Sequence, residues 1–428
     1  MKHIINKFLG MIDHLSFFSF SMKKVICLLS ILTMVCGCQI HPLVDKENLK
    51  IVIASDIHYF LKDYYKDCEW FEEEMLYGDG KMVTYADEIL TAFIQKIKEI
   101  KPDLVLLTGD LTFNGEKGSH QAIAKKLKQL TDLGIAVAVM PGNHDIDNIF
   151  AKGYGKEDYF KVDNIDHHDF KDIYQNLGYN ISYHEHDESL SYSIQLNQKY
   201  TLILMDSNSH EQTGSLFDKG GYLTPSSLSW LKDELKETQQ QNRIPIVAFH
   251  HNLAIHNELL NNGYTMNNYK TIAETLKQYH VPFVLSGHIH CQHIQKIQGI
   301  YDIASSSLLD APLQFGVMEL GHQGMLYQTQ SLKISRDANE YFDIVSRNKL
   351  SSEFANIKDK HMRNAMLDVV VKANRYYFTG NIYKHIDELK KMNGYQYFLD
   401  SKKTSFHRSY LEALLKEKGN HQYLKLNY

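Results

Sequence analysis

Cysteine is scarce in this chain. There are five in 428 residues, and three of them, Cys27, Cys36 and Cys38, fall at the N-terminus. None of the spacings reads as a zinc finger, and no thiolate stands among the polar residues discussed below, which argues against a thiolate-held redox cluster. An excess of basic charge is missing too: 46 Lys and Arg against 51 Asp and Glu give a formal net charge of -5, so no overall basic field points to specific nucleic-acid binding. The apolar run Val25–Val35 is too short to cross a bilayer. No internal repeat is apparent. What remains is a 43% hydrophobic chain, long enough for one large core and an appendage.

The short apolar run has a use of its own. Lys23-Lys24 precede it and Val35-Cys36-Gly37-Cys38 follow it, the layout of a secretion signal. Its end is similar to a bacterial lipobox with Cys38 as the lipidated residue. Residues 1–38 are therefore expected to be a signal peptide, with Met22 as a well-placed start. The mature protein is then an extracytoplasmic lipoprotein, attached to the cell membrane by its lipid anchor. Cys68 and Cys291 remain, and either a disulfide or two unpaired thiols is open.

Five short runs rich in Ile, Val and Leu read as buried strands: Ile51 to Ala54, Leu104 to Leu107, Ile135 to Met140, Ile246 to Phe249 and Pro282 to Leu285. Each is followed at once by unusual polar residues. The first leads to Asp56-x-His58, the second to Gly109-Asp110, and the third to Gly142-Asn143-His144-Asp145. The fourth leads to His250-His251 and the fifth to Gly287-His288-Ile289-His290. In an open α/β sheet, ligands bind beyond the carboxyl ends of the strands, so these distant residues are expected to converge. The convergent set is carboxylate oxygen, amide oxygen and imidazole nitrogen, which suits hard or borderline divalent ions.

In that order, the motifs resemble the metallophosphoesterase (calcineurin-like phosphoesterase) superfamily over about residues 50 to 320. The resemblance implies an α/β fold, a four-layer α/β/β/α sandwich. It implies two divalent ions (Mn, Fe or Zn), one held by Asp56, His58, Asp110 and His290, the other by Asp110, Asn143, His250 and His288. It further implies a phosphoesterase in which a hydroxide shared by the ions attacks phosphorus. His144 would give a proton to the leaving oxygen, and Asp145 would steady its imidazole. His251 is placed on the substrate side. Phe113 stands where the purple acid phosphatases carry a ligand tyrosine, and the Gly109-Asp110-Leu111-Thr112 wording is closer to the cyclic-nucleotide phosphodiesterase-like branch. The expected substrate is a small-molecule phosphate ester, diester or monoester, such as a nucleotide or a cell-envelope phosphate. A second reading, a binding or scaffold module that keeps the fold without turnover, stays open beside it.

Two insertions interrupt the pattern. The first, Tyr59 to Val83, is crowded with aromatic residues; the second, Ile146 to Ser189, is polar and rich in histidine. Packing is the expected role of the aromatics. Helices are expected at Tyr85 to Ile100, where Ile89, Phe93, Ile97 and Ile100 recur at helical spacing, at Gln121 to Asp132, and after Thr224-Pro225, a cap followed by a first-turn proline. From about Asp337 apolar residues again recur at helical spacing. The expected division is 1–38 signal, 39–335 phosphoesterase domain and 336–428 helical C-terminal domain.

Overall fold

A computed structural model describes residues 42–208, 220–400 and 405–428. Cys38 and the rest of the expected signal lie outside the described residues. In chain order the strands are β1 (Leu49–Ala54), β2 (Leu104–Leu107), β3 (Ala136–Val139), β4 (Lys152–Tyr154), β5 (Tyr159–Lys161), β6 (His184–Glu185), β7 (Tyr192–Gln195) and β8 (Tyr200–Met205). They continue with β9 (Ile244–Phe249), β10 (Phe283–Ser286), β11 (His293–Ile297), β12 (Ile300–Ala304), β13 (Gln314–Gly321), β14 (Gly324–Ser331) and β15 (Tyr423–Asn427). The helices are α1 (Glu69–Met75), α2 (Ala86–Ile100), α3 (Lys117–Thr131), α4 (His167–Ile173), α5 (Pro225–Gln240) and α6 (Tyr269–Gln278). In the C-terminal part they are α7 (Ala338–Ser351), α8 (Lys360–Thr379), α9 (Ile386–Lys391), α10 (Asn393–Asp400) and α11 (Phe406–Leu414).

The strands form two large sheets. One runs β15-β14-β13-β1-β2-β3, the other β11-β12-β10-β9-β8-β7-β6. Their centres are parallel: β1 with β2 and β2 with β3 in the first, β8, β9, β10 and β12 in the second. Side chains alternate across a strand, so a run of purely apolar residues must be covered on both faces. β8 shows this directly: Leu202 and Leu204 belong to the core between the sheets, whereas Ile203 and Met205 turn outward onto Leu231 and Leu235 of α5. Ile246 and Ala248 of β9 face inward, and Val247 and Phe249 face α5 and α6. α2 and α3 cover the other sheet with Ile89, Phe93, Ile97, Ile123 and Leu127, all at 0% exposure. The layer order is thus α/β/β/α, as the sequence implies. Each fully buried side chain of this kind contributes roughly 1.5–3 kcal/mol.

Local signals account for the element ends. Lys101 closes α2 in a left-handed conformation (φ 50°) ahead of Pro102, which has no N–H to continue the helix. Thr224 caps α5 by accepting from the Ser227 N–H at 3.0 Å, with Pro225 in the first turn. The two insertions pack on each other. Phe60, Tyr65 and Phe71 of the first lie against Tyr154 of the β4-β5 hairpin or against one another, and the Trp70 indole donates to the Lys156 carbonyl at 3.0 Å. Cys68 and Cys291 are both buried free thiols.

The C-terminal part has its own core around α8, with Met366, Val369, Val370, Phe398, Leu411 and Leu414. It is not helical throughout the expected 336–428. After α11 the chain returns as β15 and adds an antiparallel strand to β14, Gly324 opposite Asn427 and Gln328 opposite Tyr423. The alternation Tyr423-Leu424-Lys425-Leu426-Asn427 is a period-two pattern, and Leu424 and Leu426 pack on the main core. That alternation was present in the sequence and is the signal the helical expectation passed over.

Candidate metal centre

β1, β2 and β3 of one sheet and β9 and β10 of the other end at the same place. Their polar followers form two groups whose ligand atoms all lie within 4.8 Å of one another. The first is Asp56, His58, Asp110 and His290, and the second is Asp110, His250 and His288. His58 Nε2 stands 3.1 Å from His290 Nε2 and 3.7 Å from Asp110 Oδ2, and His290 Nε2 stands 3.4 Å from Asp56 Oδ1. On the other side, His250 Nε2 is 3.3 Å from the same Asp110 Oδ2 and 3.2 Å from Asn143 Oδ1. The amide oxygen of Asn143 therefore joins the second group.

The backbone is bent to make this happen. Asp56, His58, Asp110, His288 and His290 all have positive φ, between 39° and 69°. Left-handed conformations are uncommon for residues with a Cβ and cost of order 1–3 kcal/mol each where sparsely populated. Five in one cluster means that the surrounding fold imposes them. Gly142 makes room: a Cβ there would collide with the Asp110 carboxylate and backbone N, which explains the glycine of Gly142-Asn143-His144-Asp145.

Three of the four donor imidazoles are oriented by a partner on the far nitrogen, while Nδ1 of His58 is buried without one among the described residues. His250 Nδ1–H donates to the Thr108 carbonyl at 2.8 Å, leaving Nε2 for the site. His288 uses Nε2–H on the Gly263 carbonyl at 2.8 Å, leaving Nδ1. His290 Nδ1 bonds Asp310 Oδ2 at 2.9 Å. Fixing one nitrogen in this way is how a protein sets the tautomer of a metal-binding histidine. Asp310 follows β12, the neighbour of β10, and lies outside every motif named above. Nothing in the Ser305-Ser306-Ser307-Leu308-Leu309-Asp310 stretch marks it as polar support for a site.

The electrostatics favour positive charge between the carboxylates. Burial opposes the charge of Asp110, but the fields of His250 and His144 outweigh it and hold the carboxyl well below its usual range. Burial lowers His290, yet its bond to Asp310 and the nearby Asp56 carboxylate push it up to about 10. Burial keeps His58 neutral, and burial together with the charge of His250 brings His288 down to about 4, so lone pairs are available. Asp56 Oδ2 accepts from the His288 N–H at 3.0 Å, while its Oδ1 is buried without a hydrogen-bond donor. Such an acceptor beside the free nitrogen of His58 fits a divalent cation, because an unmatched buried carboxylate oxygen is costly.

His144 lies beside the first group, its ring edge-on to that of His58 with centroids 4.9 Å apart. Its orientation differs from the expectation. Nδ1–H donates to the Phe113 carbonyl at 2.7 Å, with Asn114 Oδ1 at 3.2 Å; its imidazole has no hydrogen bond to Asp145. The Asp145 carboxylate instead accepts from the N–H groups of Leu111, Thr112 and Gly142 at 3.1, 2.9 and 2.9 Å and from the Thr112 hydroxyl at 3.0 Å. It ties the Gly109-Asp110 loop to the Gly142–Asp145 loop. Burial, reinforced by the Asp110 charge, still raises it to about 7. His251, expected on the substrate side, is 1% exposed; its Nδ1 pairs with Ser207 Oγ at 2.9 Å, and its ring packs on those of His250 and His288.

Two further residues belong to the surroundings. His120 of α3 is fully buried; its Nε2–H donates to the Asp145 carbonyl at 2.9 Å, so its Nδ1 accepts from the Tyr174 hydroxyl at 2.9 Å. Lys81, from the end of the first insertion, is 7% exposed and paired with Asp79 at 3.1 Å. Its neighbours place it: a Cβ at Gly80 would meet Asp310 Oδ1 at 2.8 Å, and the Met82 N–H donates to the Leu309 carbonyl at 3.0 Å. Its charge bears on His58, His144 and His290. The first insertion thus reaches the site with an ammonium group, while its aromatic residues pack.

Residues 49–292 match the calcineurin-like phosphoesterase family, and residues 332–420 match the C-terminal domain of cyclic nucleotide phosphodiesterase. Similar proteins include a probable cyclic nucleotide phosphodiesterase of Moraxella catarrhalis (strain BBH18), 25% identical over 251 residues, which are 58% of this chain and 74% of that one. Another of the same description, from Vesicomyosocius okutanii subsp. Calyptogena okutanii (strain HA), is 24% identical over 202 residues, 47% of this chain and 68% of that one. Among solved structures, a dimetal phosphatase from Danio rerio shares the fold with a TM-score of 0.50 at 11% identity, covering 67% of this chain and 97% of its own. A family match over more than half of the chain, on the segment that carries every donor described above, makes this protein a member of the calcineurin-like phosphoesterases, hydrolases of phosphoric ester bonds.

Proposed function

We propose that the chain hydrolyses small-molecule phosphate esters at a centre of two divalent ions. The observation that carries this reading is the position of Asp110, whose Oδ2 faces His58 on one side and His250 on the other. One ion would be held by Asp56, His58, Asp110 and His290, and the second by Asp110, Asn143, His250 and His288. The donor set suits Mn, Fe or Zn. Ions bound there supply Lewis acidity towards a phosphoryl oxygen and make a water molecule more acidic.

The chain's own groups do the rest. The His144 N–H donates to Asp110 Oδ1 at 2.8 Å, which fixes the carboxylate with Oδ2 towards both donor groups. Because Nδ1 of His144 is committed to the Phe113 carbonyl, Nε2 is the nitrogen left to carry a proton to the leaving oxygen. Asp145 holds the two loops in register and does not touch the reacting atoms. The names of the relatives and the matching C-terminal region support a cyclic nucleotide, a phosphodiester, as the substrate class. The scaffold reading is the weaker one, because every donor and His144 are retained.

The pair of variants Asp110→Ala and His144→Ala tests the assignment. The first is expected to lose bound metal, the second to keep it and lose roughly 10²–10⁴ of its turnover. Full turnover in both overturns the reading. The lipid anchor at Cys38 is a separate proposal supported by the sequence pattern alone; radiolabelled palmitate is expected to mark the protein and not its Cys38→Ser variant, and equal labelling of the two removes it.

A further inference from the structure

A second set of donors lies outside the centre described above. His293 opens β11, and Glu417 and His421 stand on the segment that leads from α11 into β15; one ligand atom from each falls within 4.8 Å of the other two. His293 Nε2 is 3.5 Å from Glu417 Oε1, and His421 Nε2 is 3.2 Å from Glu417 Oε2. The two rings lie face to face with centroids 3.8 Å apart, and both turn Nε2 to the one carboxylate. His293 is 0% exposed, whereas the Glu417 side chain keeps 25% of its surface in water. Gly419 has no side chain to crowd the Nε2 edge of His421, where a Cβ would come within 3.1 Å of the ring.

The protons show what this cluster lacks. His256 Nε2 stands 3.1 Å from Asp302 Oδ2, and a carboxylate at that distance draws the imidazole proton to that nitrogen. Nδ1 of a neutral His256 is then an acceptor, and His293 Nδ1–H donates to it at 2.9 Å. That leaves His293 Nε2 with a bare lone pair, buried and without a hydrogen-bond partner among the described residues. Burial brings His293 down to about 3, so protonation does not relieve it. Burial opposes the charge of Glu417 as well, but the two histidines beside it hold its carboxyl at about 2. A lone pair facing an anion in a dry place calls for a cation between them. His421 completes the set: with Nδ1–H on the Ile294 carbonyl at 3.1 Å, its Nε2 is left as a ligand.

We propose that His293, Glu417 and His421 form a further metal site, separate from the hydrolytic centre, which takes one Zn ion. Two imidazoles and a carboxylate are a ligand set that Zn accepts in tetrahedral geometry, with water in the fourth position on the Glu417 side. Coordination tilts the stacked rings apart, a movement about the soft χ2 torsion of histidine. Three protein donors make this a weaker site than the main centre, and it fills when Zn is supplied in excess. An ion there clasps the segment after α11 to the start of β11.

The test uses the untagged full chain as Asp110→Ala, which disables the main centre, dialysed free of metal and titrated with Zn in calorimetry. About one equivalent is expected to bind, and the double variants with Glu417→Gln or His421→Gln are expected to bind it about tenfold more weakly or worse. Co in place of Zn is expected to give the visible absorption of a four-coordinate ion, lost in both double variants. Zn that does not bind Asp110→Ala, or binds it and the double variants equally, overturns the site. If Asp110→Ala does not fold, the native chain and Glu417→Gln are compared by Zn content after loading. A difference of about one equivalent is expected, and equal content overturns the site.

Discussion

Asp310 holds His290 through Nδ1 at 2.9 Å, so that Nε2 of His290 is the nitrogen turned to Asp56 and His58. The carboxylate sets the ring's angle and increases its basicity without touching the site itself. Asp310→Asn keeps the shape and removes the charge. Metal affinity is expected to fall about 10- to 100-fold, the usual cost of losing such support, with little change in fold. A competition titration with a chromogenic chelator reads this; an unchanged affinity means that Asp310 acts as packing only.

Lys81 predicts a different kind of effect. Its ammonium is nearly buried, partnered by Asp79 and within the field of Asp310, and its positive charge is felt by His58, His144 and His290 of the donor cluster. Lys81→Met is expected to weaken inhibition by inorganic phosphate by about tenfold, worth ~1.4 kcal/mol, and to raise KM more than it lowers kcat. The measurement is product inhibition at constant ionic strength. Phosphate inhibition equal to that of the native chain would leave Lys81 as a partner of Asp79 and nothing more.

His120 predicts the response to acid. Burial holds its pKa at about 3, against 6.5 for the free side chain. The unfolded chain takes up a proton below pH 6.5 and the folded chain does not until about pH 3. Stability from this group is complete above pH 6.5 and drains as pH falls through that window, by about 1.4 kcal/mol per unit. The slope of urea midpoint against pH between 6.5 and 4 is expected to be shallower in His120→Leu than in the native chain. Parallel slopes would show that the group is already protonated in the folded state.

Much of the fold was legible because apolar runs in parallel strands are covered on both faces and stand out in sequence. β2 falls where the sequence puts it, and β1, β3, β9 and β10 differ only at their ends. The donors were legible for a related reason: each follows a strand end, and strand ends in such sheets converge. What escaped notice was held by distance or by geometry. Asp310 bonds a residue 20 positions away and His120 bonds residues 25 and 54 positions away, and nothing local records that. Asp145 was given to its neighbour His144, yet its carboxylate is consumed by backbone N–H groups across the loop. β15 was missed because one short alternating stretch after a helical region carries little weight beside the longer pattern.

The donors come from both sheets: Asp56, Asp110 and Asn143 follow β1, β2 and β3, while His250, His288 and His290 follow β9 and β10. Any ion held among them is a rivet through the seam of the sandwich, gripped from either side. Occupancy would then be felt far from the chemistry, as resistance of the whole sandwich to heat. Stripping with EDTA should lower the melting temperature of the native chain and barely move that of Asp110→Ala, since a ligand that favours only the folded form stabilises it in proportion to its binding.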